Sequence, residues 1–530
     1  MARGRILVIA GSDSSGGAGL EADQKVIAAH GCYAMPTTTA LTAQNTMGVF
    51  DIHHTPPEFV GKLIGLCVSD IGVDVVKTGL FFLLRTYSQC ILFFGGCECA
   101  CMLASAETIR VIAVELEKFD VKTLVVDPVM VSTSGSHLLP ESAVRHLIDL
   151  LLPKATIVTP NIPEAKLILS QAGMSTSGLQ NSGEMIEIAK LVQSLGPKYV
   201  LVKGGHLPLR KDGTVARNEE EKEVVVDVLF GEGQVTMIES PYLRSRNTHG
   251  TGCSLASAIA SNLANGMEMV RAVKSACRYV EAGIRTSVEM GKGNGPINHF
   301  HSVYSLPFAP GRFIEYLLER PDVQEAWKEH TEHDFVAGMA DGTLPIESFK
   351  YYLIQDYLYL IQFARANALA GYKAKTMEDI GAAAKIVAHI HHEMSLHIGY
   401  CEGFGISKEE MEATEESQAC TAYTRYVLDI GQSEDWLALQ VSMAPCLIGY
   451  GQIAQRLHAD PKTKREGNIY WKWIQNYVAD DYSEAVRIGS ELLERHLVLQ
   501  SPSRVEELVK IFVHATKMET GFWDMGSISR

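Results

Sequence analysis

The hydrophobic pattern of the chain changes once, near residue 300, and this change constrains the fold more than any other feature. Before that point, short β-branched runs such as Ile6–Ala10 and Leu124–Val129 alternate with helical stretches such as Ser105–Phe119. Strands that alternate with helices predict a mostly parallel sheet with helices on both faces. Ligands of such sheets bind in the loops that follow the carboxyl ends of the strands.

The rest of the chain carries long amphipathic segments, such as Phe349–Lys373, without a period-2 strand pattern between them. This pattern predicts an all-helical bundle. A stretch rich in Gly and Pro, 291–311, separates the two regions and is typical of a boundary. We therefore predict an α/β domain at 1–302, a linker at 303–311 and an all-α domain at 312–530.

Charge and cysteine usage exclude several classes of protein. The 47 basic and 62 acidic side chains leave a formal net charge of −15, so a nucleic-acid surface is not expected. The 11 cysteines are not spaced as a secreted disulfide framework. The apolar run Ile6–Ala10 is too short for a signal peptide, and no uninterrupted run of about 18 apolar residues predicts a membrane span. We expect a cytoplasmic protein whose partners are small molecules.

Two glycine-rich turns precede helices in the first domain. Gly11–Gly19 follows the first predicted strand directly, and His249–Cys253 leads into a helix of small residues. Glycine lets the backbone approach a ligand closely, and the free N–H groups at a helix start attract anions. The second turn could thus stabilise charge on a transferring phosphoryl group and lower the pKa of Cys253. The alternative is a pair of turns that only start helices, with an inert cysteine.

Six motifs occur in order in this domain: Gly11–Gly19 with Glu21–Asp23, Leu41–Thr46, Asp127–Met130, Thr159–Ala165, Val202–His206 and His249–Cys253. Together they resemble the hydroxymethylpyrimidine/phosphomethylpyrimidine kinases of the ribokinase-like fold, over about residues 5–300. The resemblance implies phosphorylation of the hydroxymethyl group of an aminopyrimidine and then of the resulting monophosphate. ATP and Mg²⁺ would be the cofactors, and the product would be the diphosphate used in thiamine synthesis.

The same resemblance assigns roles to residues. Those implied to contact the aminopyrimidine are Asp23, Gln44 and Met102. Those implied to hold ATP are Asn161, Glu164, Lys203, Gly204 and Thr251, with Glu164 also placing Mg²⁺. The turn with Gly250 and Gly252 would form an anion hole beside Cys253. Sugar kinases of this fold carry an Asp where Cys253 stands, so whether this thiol takes the substrate proton stays open.

One segment, 80–101, departs from the family pattern. The family continues from Lys-(Thr/Ile)-Gly directly into Met-Leu, whereas here this segment separates Gly79 from Met102. It is rich in Phe and Cys and follows neither a helical nor a strand period. Our hypothesis is a translated intron or gene-model artefact, in preference to a membrane segment or a C-x-C-x-C metal site. A genuine insertion would displace Met102 and impair the kinase.

The helical domain contains a candidate nucleophile, a proton shuttle and an anchor. Cys446 follows Pro445 within a helical segment, and Glu519 lies near the C-terminus. A thiol with a carboxylate proton shuttle is sufficient for covalent catalysis on a ring carbon. Asp356 and Tyr359 share one helix face, which suits a flat heterocycle. The alternatives are an inert buried cysteine and a tyrosine-rich interface helix.

Five segments of this domain are Gln355–Tyr357, Ala422–Tyr426, Pro445–Tyr450, Trp473–Tyr477 and Glu519–Met525. They resemble the TenA family of thiaminase II over about residues 312–530. The resemblance implies that Cys446 is the nucleophile, Glu519 the acid/base and Asp356 the anchor of the aminopyrimidine. Side chains implied to shape the pocket are Tyr359, Tyr423 and Tyr477. No cofactor is expected, and the reaction would convert an aminomethyl-aminopyrimidine to hydroxymethylpyrimidine and ammonia, with slower hydrolysis of thiamine.

The histidine run 389–397 does not match the zinc motif H-E-x-x-H, because His392 and His397 are separated by five positions. We expect a polar helix face there. The two implied activities are linked, since the product of the second domain is the substrate of the first, as in fungal fusion enzymes. The alternatives are a pyridoxal-type vitamin kinase and a non-catalytic helical binding module. Both families form oligomers, so a homo-oligomer is expected.

Overall fold

The computed structural model describes residues 4–79, 106–130, 141–175 and 182–527. The chain divides into two compact units, Met1–Val303 and Tyr304–Arg530. The predicted insertion 80–101 and Met102 lie outside the described residues. The division falls at the start of the predicted linker, but Phe308 within that linker is buried and its ring lies 5.2 Å from that of Phe313. This stretch therefore packs into the helical unit.

The first unit contains a single sheet among its described residues. The strands are β1 (Arg5–Asp13), β2 (Tyr33–Asn45), β3 (Gly48–His54), β4 (Val75–Gly79), β5 (Leu124–Asp127), β6 (Ile157–Val158), β7 (Tyr199–Val202), β8 (Val224–Gly231) and β9 (Gln234–Pro241). They lie in the order β3-β2-β1-β4-β5-β6-β7-β8-β9. The pairs from β2 to β7 are parallel, and β3, β8 and β9 pair antiparallel.

Helices cover both faces of this sheet. They are α1 (Gly19–Ala29), α2 (Pro57–Asp70), α3 (Ala106–Lys118), α4 (Glu141–His146), α5 (Ile162–Gln171), α6 (Ser182–Gln193), α7 (Thr251–Ala264) and α8 (Met269–Arg285). A π-helical turn, Leu147–Leu151, and a 3₁₀ turn, Leu152–Lys154, extend α4, and a 3₁₀ turn also forms at Glu219–Glu221.

The alternation of side chains along the strands divides the hydrophobic core in two. Leu7 and Ile9 of β1 point to the face covered by α2 to α6, whereas Ile6 and Val8 point to the face covered by α1, α7 and α8. Because successive side chains of a strand point to opposite faces, a strand buried on both sides must be apolar throughout. This explains the continuous apolar runs of the sequence, and the predicted α/β architecture is confirmed.

The second unit is helical throughout its described residues. Its helices are α9 (Phe313–Glu319), α10 (Pro321–Thr331), α11 (Asp334–Asp341), α12 (Ile346–Lys373), α13 (Met377–Glu402), α14 (Lys408–Ala413), α15 (Gln418–Ser433), α16 (Trp436–Ala459), α17 (Trp471–Tyr477), α18 (Asp480–Leu497) and α19 (Pro502–Ser527). The predicted all-α domain is therefore confirmed.

Helix α16 is the central helix of the second unit. It contributes side chains to two clusters of buried residues, one with Tyr352 and Trp523 and the other with Trp327 and Phe512. Of the helices in the described residues, only α16 is long and apolar enough to cross a bilayer. The most apolar part of α16 is 78% buried within the unit, as expected of a core helix in a bundle.

The turn after β7 allows a matched test of packing. A Cβ added at Gly204 would lie 1.9 Å from the carbonyl oxygen of Val226, whereas one added at Gly205 would meet nothing within 4 Å. We expect Gly204→Ala to lower the free energy of unfolding by about 1–3 kcal/mol, because the backbone of β8 must move to make room for the added methyl group. Gly205→Ala should cause little change. Urea unfolding of both variants measures the difference, and equal midpoints would contradict this packing.

Candidate active sites

The carboxylate of Asp13 joins the two glycine-rich turns of the α/β unit. It lies at the end of β1 and accepts hydrogen bonds of 2.8 Å from the backbone N–H of Ser15, from that of Ala18 and from Nε2 of His249. Burial by itself raises the pKa of Asp13, but the hydrogen bonds from His249 and Ser15 outweigh burial and lower it to about 2. An ionised carboxylate therefore holds both turns together.

The two turns also meet backbone to backbone. Gly250 has a φ of 79°, and a Cβ there would lie 1.8 Å from the carbonyl oxygen of Gly17. Glycine is needed at this position for both reasons. Beside them, at the end of β2, Nε2 of Gln44 lies 3.2 Å from Nε2 of His249. The structure thus places the predicted ring-binding amide next to the predicted anion hole.

Asp23 of α1 forms a fully buried ion pair with Lys77 of β4. The Lys77 ammonium donates to both carboxylate oxygens, at 2.9 and 2.8 Å, and the hydroxyl of Ser257 donates to one of them at 2.7 Å. Burial alone lowers the pKa of Lys77, but Asp23, followed by Cys253 and Asp127, raises it above its usual value. Both Asp23 oxygens thus accept hydrogen bonds within the protein, and a contact of Asp23 with a pyrimidine ring stays a prediction.

Cys253 lies in the first turn of α7, four residues before Ser257, and only 6% of its surface is exposed. Burial raises its pKa to about 12; Lys77 opposes this rise, and the carboxylates of Asp23 and Asp127 add to it. The prediction that the helix start lowers the pKa of Cys253 is therefore wrong. Desolvation and two nearby carboxylates outweigh the helix dipole at this position.

Asp127, at the end of β5, is a site residue that the sequence analysis did not assign. Its Oδ1 accepts hydrogen bonds from Lys203 Nζ at 2.9 Å and from the Thr159 hydroxyl at 3.2 Å. Its Oδ2 is buried and has no hydrogen-bond partner among the described residues. A Cβ at Gly252 would lie 3.8 Å from this oxygen and 3.2 Å from Lys203 Nζ. The carboxylate of Asp127 and the ammonium of Lys203 therefore both lie beside the predicted anion hole.

Asn161 and Glu164 form a reciprocal cap at the start of α5. The Asn161 side chain accepts from the backbone N–H of Glu164, and the Glu164 carboxylate accepts from that of Asn161, both at 2.8 Å. Burial raises the pKa of Glu164 to about 7, Lys203 opposes this rise and Asp127 adds to it. Both residues thus stabilise the helix start, and their contacts with ATP and Mg²⁺ stay predictions.

The remaining predicted nucleotide contacts also have partners within the protein. The backbone N–H of Gly204 donates to Asp227 at 2.8 Å, and the hydroxyl of Thr251 donates to the carbonyl oxygen of Thr248 at 3.1 Å.

No cluster of three or more His, Cys, Asp or Glu side chains that could hold a metal occurs in the part of the chain that the structure describes. The buried Oδ2 of Asp127 has no hydrogen-bond partner among the described residues, and a carboxylate oxygen of this kind suits Mg²⁺ that is bound together with phosphates.

In the helical unit, the structure brings Cys446 and Glu519 together. Cys446 lies in α16 after Pro445, and both Glu519 and Tyr359 are close enough to its thiol to influence its pKa. Burial raises the pKa of Cys446 well above its usual value; the Glu519 carboxyl adds to this rise and the Tyr359 hydroxyl opposes it. The thiol is thus protonated in the resting site.

Glu519 is almost completely buried and accepts a 2.6 Å hydrogen bond from the hydroxyl of Tyr423. Burial raises its pKa to about 8; the hydrogen bond from Tyr423 opposes this rise, and the charge of Asp356 adds to it. Glu519 therefore carries its proton at neutral pH and can donate it. A carboxyl group with this environment is a candidate general acid.

Aromatic rings surround this pair. The rings of Tyr359 and Tyr423 are stacked with centroids 5.3 Å apart, and that of Tyr477 lies 5.3 Å from Tyr450. Asp356 acts electrostatically on Cys446, Glu519 and Tyr477. Sequence reasoning did not assign Tyr450, whose only signal was its place in the motif after Cys446. A cluster of stacked rings, a thiol and carboxyl groups has the chemistry to bind a flat heterocycle.

Comparisons with known proteins identify both units. Residues 13–90 and 100–298 match the phosphomethylpyrimidine kinase family, and residues 320–528 match the TENA/THI-4/PQQC family. A Schizosaccharomyces pombe protein named for hydroxymethylpyrimidine/phosphomethylpyrimidine kinase is 42% identical, covering 98% of this chain and 90% of that protein. The chain belongs to this family of kinases fused to a TENA/THI-4 domain.

Further relatives extend the comparison of both units. The Saccharomyces cerevisiae hydroxymethylpyrimidine/phosphomethylpyrimidine kinase THI20 is 34% identical, covering 98% of this chain and 94% of that protein. A pyridoxal kinase from Staphylococcus aureus, solved with AMP-PCP, aligns at 28% identity with a TM-score of 0.46, covering 57% of this chain and 96% of that one. The kinase family match leaves out 91–99, which lie inside the predicted insertion 80–101.

The buried ion pair of the kinase unit gives a test of its energetics. We expect Lys77→Met to lower the free energy of unfolding by about 3–5 kcal/mol, because it leaves Asp23 buried without its cation. The double variant Asp23→Asn, Lys77→Met should recover most of the lost free energy, since neither partner of the pair then leaves a buried charge alone. Urea unfolding of the single and the double variant measures the two free energies.

The control is Lys190→Met, which removes a solvent-exposed pair with Glu187 and should change the midpoint little. Equal losses of unfolding free energy for Lys77→Met and Lys190→Met would show that the buried pair contributes nothing beyond a surface pair.

Proposed function

We propose that the kinase unit transfers the terminal phosphoryl group of ATP to 4-amino-5-hydroxymethyl-2-methylpyrimidine and then to its monophosphate. The observation that carries this proposal is the convergence of Gly252, Lys203 and Asp127 beside the two glycine-rich turns. Loops at the carboxyl ends of parallel strands are where such sheets bind ligands. The names of the S. pombe and S. cerevisiae relatives support the same substrate.

The residues of the turn and of the adjacent strands would have different roles in phosphoryl transfer. The backbone N–H groups at the start of α7 and the ammonium of Lys203 are suited to stabilise the charge of the transferring group. Mg²⁺, held by Asp127 and Glu164 with the phosphates of ATP, would neutralise charge on the leaving oxygens. Because Cys253 stays protonated at neutral pH, the resting thiol is not a thiolate base.

Phosphorylation assays with two competing acceptors test the proposal. We expect ADP formation with hydroxymethylpyrimidine at a higher kcat/KM than with pyridoxal. Asp127→Asn should lower kcat/KM by roughly 100-fold, because the charge that would hold Mg²⁺ and that pairs with Lys203 is lost. The control is Cys67→Ser, at a half-buried cysteine on α2, which should behave as wild type. A preference for pyridoxal would favour the vitamin-kinase alternative instead.

The same assay tests the segment 80–101, which we propose is a translated intron or gene-model artefact. A chain without these residues, in which Gly79 is followed directly by Met102, should have the higher kinase activity. Sequencing of the mature transcript decides the origin of the segment, and a message that encodes all of it would contradict the proposal.

We propose further that the TENA/THI-4 unit hydrolyses an aminomethyl-aminopyrimidine to hydroxymethylpyrimidine and ammonia. The sulfur of Cys446 would bond to a ring carbon while Glu519 gives its proton to the departing amine and then takes the proton of the thiol. The oxygen of water would then bond to the carbon that the amine left, and a proton of that water would pass to the sulfur as the sulfur–carbon bond breaks, which restores the thiol and the protonated Glu519. Asp356 would bind the ring edge between stacked tyrosines. This proposal rests on the thiol–carboxyl pair of Cys446 and Glu519.

Ammonia release from the aminopyrimidine tests this second activity. We expect Cys446→Ser to lower the rate on the order of 1,000-fold or more, because the nucleophile is lost. The control is Cys420→Ser, since Cys420 is buried and only donates to the carbonyl oxygen of Gln355, which a hydroxyl can also do. Equal rates for wild type and Cys446→Ser would favour the non-catalytic binding module.

The pH dependence of the same reaction supplies a second readout. Glu519 holds its proton below a pKa of about 8, so the acid form is lost as the pH rises through that value. The rate should therefore fall above about pH 8, and Glu519→Gln should abolish this limb together with most of the activity. A rate that rises through pH 8 would mean that the ionised carboxylate is the active form.

The two proposed reactions form a sequence, because the hydroxymethylpyrimidine released by the second unit is the acceptor of the first. We propose ATP and Mg²⁺ as the cofactors of the kinase unit and a cytoplasmic, homo-oligomeric enzyme. The spacing of the 11 cysteines, which is not that of a secreted disulfide framework, supports this location.

A further inference from the structure

The histidine run of α13 contains one member that differs from the others. His389, His391 and His392 are exposed to solvent. The side chain of His397 is only 13% exposed and lies against α12. A polar helix face accounts for the first three residues but not for a histidine that packs inward beside the predicted substrate anchor.

The imidazole of His397 is held on two sides by α12. Its Nε2 lies 3.0 Å from the carbonyl oxygen of Leu353, and its ring stacks on that of Tyr357 with centroids 6.5 Å apart. Leu353 and Tyr357 are four residues apart, so they lie on one face of the helix. Asp356 lies between them in sequence, on the same side of α12. Two contacts with one helix thus set the orientation of the ring.

This orientation turns Nδ1 toward Asp356. Because a carbonyl oxygen only accepts hydrogen bonds, Nε2 of His397 carries a hydrogen in both the neutral and the charged imidazole. Nδ1 is therefore the ring nitrogen that is not bonded to α12, and it lies 3.8 Å from Oδ2 of Asp356. This separation is that of an ion pair and is longer than a hydrogen bond.

We infer that His397 is a positioning residue for Asp356, which sets the orientation of the carboxylate toward the aminopyrimidine. The imidazole lies 3.8 Å from Oδ2 and acts on it electrostatically, so it limits the positions that the carboxylate can take. The inference rests on the hydrolysis proposed for this unit. His397 acts through Asp356 and does not itself touch the substrate.

The position of Asp356 matters because its charge acts on several groups of the pocket. Asp356 raises the pKa of Cys446, of Glu519 and of Tyr477 in addition to the larger effect of burial. A displaced carboxylate would therefore contact the ring edge of the substrate differently. It would also change the electrostatic surroundings of Cys446 and Glu519. Displacements of about 1 Å cost roughly 100-fold in well-oriented reactions.

Two substitutions at His397 separate positioning from packing. Glutamine can place an amide nitrogen where Nε2 lies and keep the contact with Leu353, but it has no group at the position of Nδ1. Asparagine can place an amide nitrogen where Nδ1 lies and face Asp356, but it loses the contact with Leu353. If positioning of Asp356 is the role, His397→Asn should be more active than His397→Gln; if packing alone matters, the order should be reversed.

The measurement is steady-state ammonia release from the aminopyrimidine by the full chain. We expect His397→Gln to lower kcat/KM by roughly 10- to 100-fold and His397→Asn to recover part of this loss. The control His391→Gln, on the exposed face of the same helix, should have the same kcat/KM as wild type. Thermal unfolding of all three variants checks that the differences are not differences in folding.

A double-mutant cycle tests the route through Asp356. In an Asp356→Asn background, His397→Gln should lower kcat/KM less than about twofold, because the carboxylate that it orients is already gone. If the fold-losses in kcat/KM of the two single variants multiply in the double variant, the two residues act independently and the inference is overturned. If wild type releases no ammonia, the proposed hydrolysis fails and the inference fails with it; if wild type is active and His397→Gln equals it, only the inference fails.

Discussion

The ion pair between Lys77 and Asp23 is the interaction on which the kinase unit depends most. Both side chains are completely buried, and the pair joins β4 to α1, while Ser257 brings α7 to the same carboxylate. Removing two charges from water is costly unless each meets its partner with good geometry. These elements must therefore pack in one arrangement, which also places Cys253 one turn of α7 from the pair. The predicted anion hole lies at the start of that helix.

Both units place a thiol among ionisable groups, and Cys253 is buried whereas Cys446 is half-buried. Cys253 and Cys446 have raised pKa values, in each case mainly through burial, with nearby carboxyl groups adding to it. A buried thiol beside a carboxylate keeps its proton, so the proton-transfer chemistry of each site depends on its neighbours. In the TENA/THI-4 unit, this neighbour is the protonated Glu519. In the kinase unit, Asp127 and Lys203 lie beside the turn, and the charge there is not carried by the thiol.

Much of the fold followed from local periodicity, but parts of the sites did not. The apolar runs and the helical segments predicted an α/β unit followed by an all-α unit. The motifs containing Gln44, Lys203 and Gly252 were predicted to share one site, and the structure places them near one another. The raised pKa of Cys253 and the inward-facing Oδ2 of Asp127 were not predicted. Both depend on groups more than 70 residues distant in the chain, as the ion pair of Asp127 with Lys203 illustrates.

The sequence by itself determined the class of each unit, the boundary region between them and the residue types available for chemistry, because helical and strand periods and glycine-rich turns are local properties. Only the tertiary structure decided which of these groups are buried, which oxygens already have partners and which histidine of α13 faces Asp356. Burial and electrostatic interaction depend on distances between elements, and these distances arise only when the sheet and the bundle are packed. Asp23 shows the difference: its motif indicated a ligand contact, whereas packing paired it with Lys77.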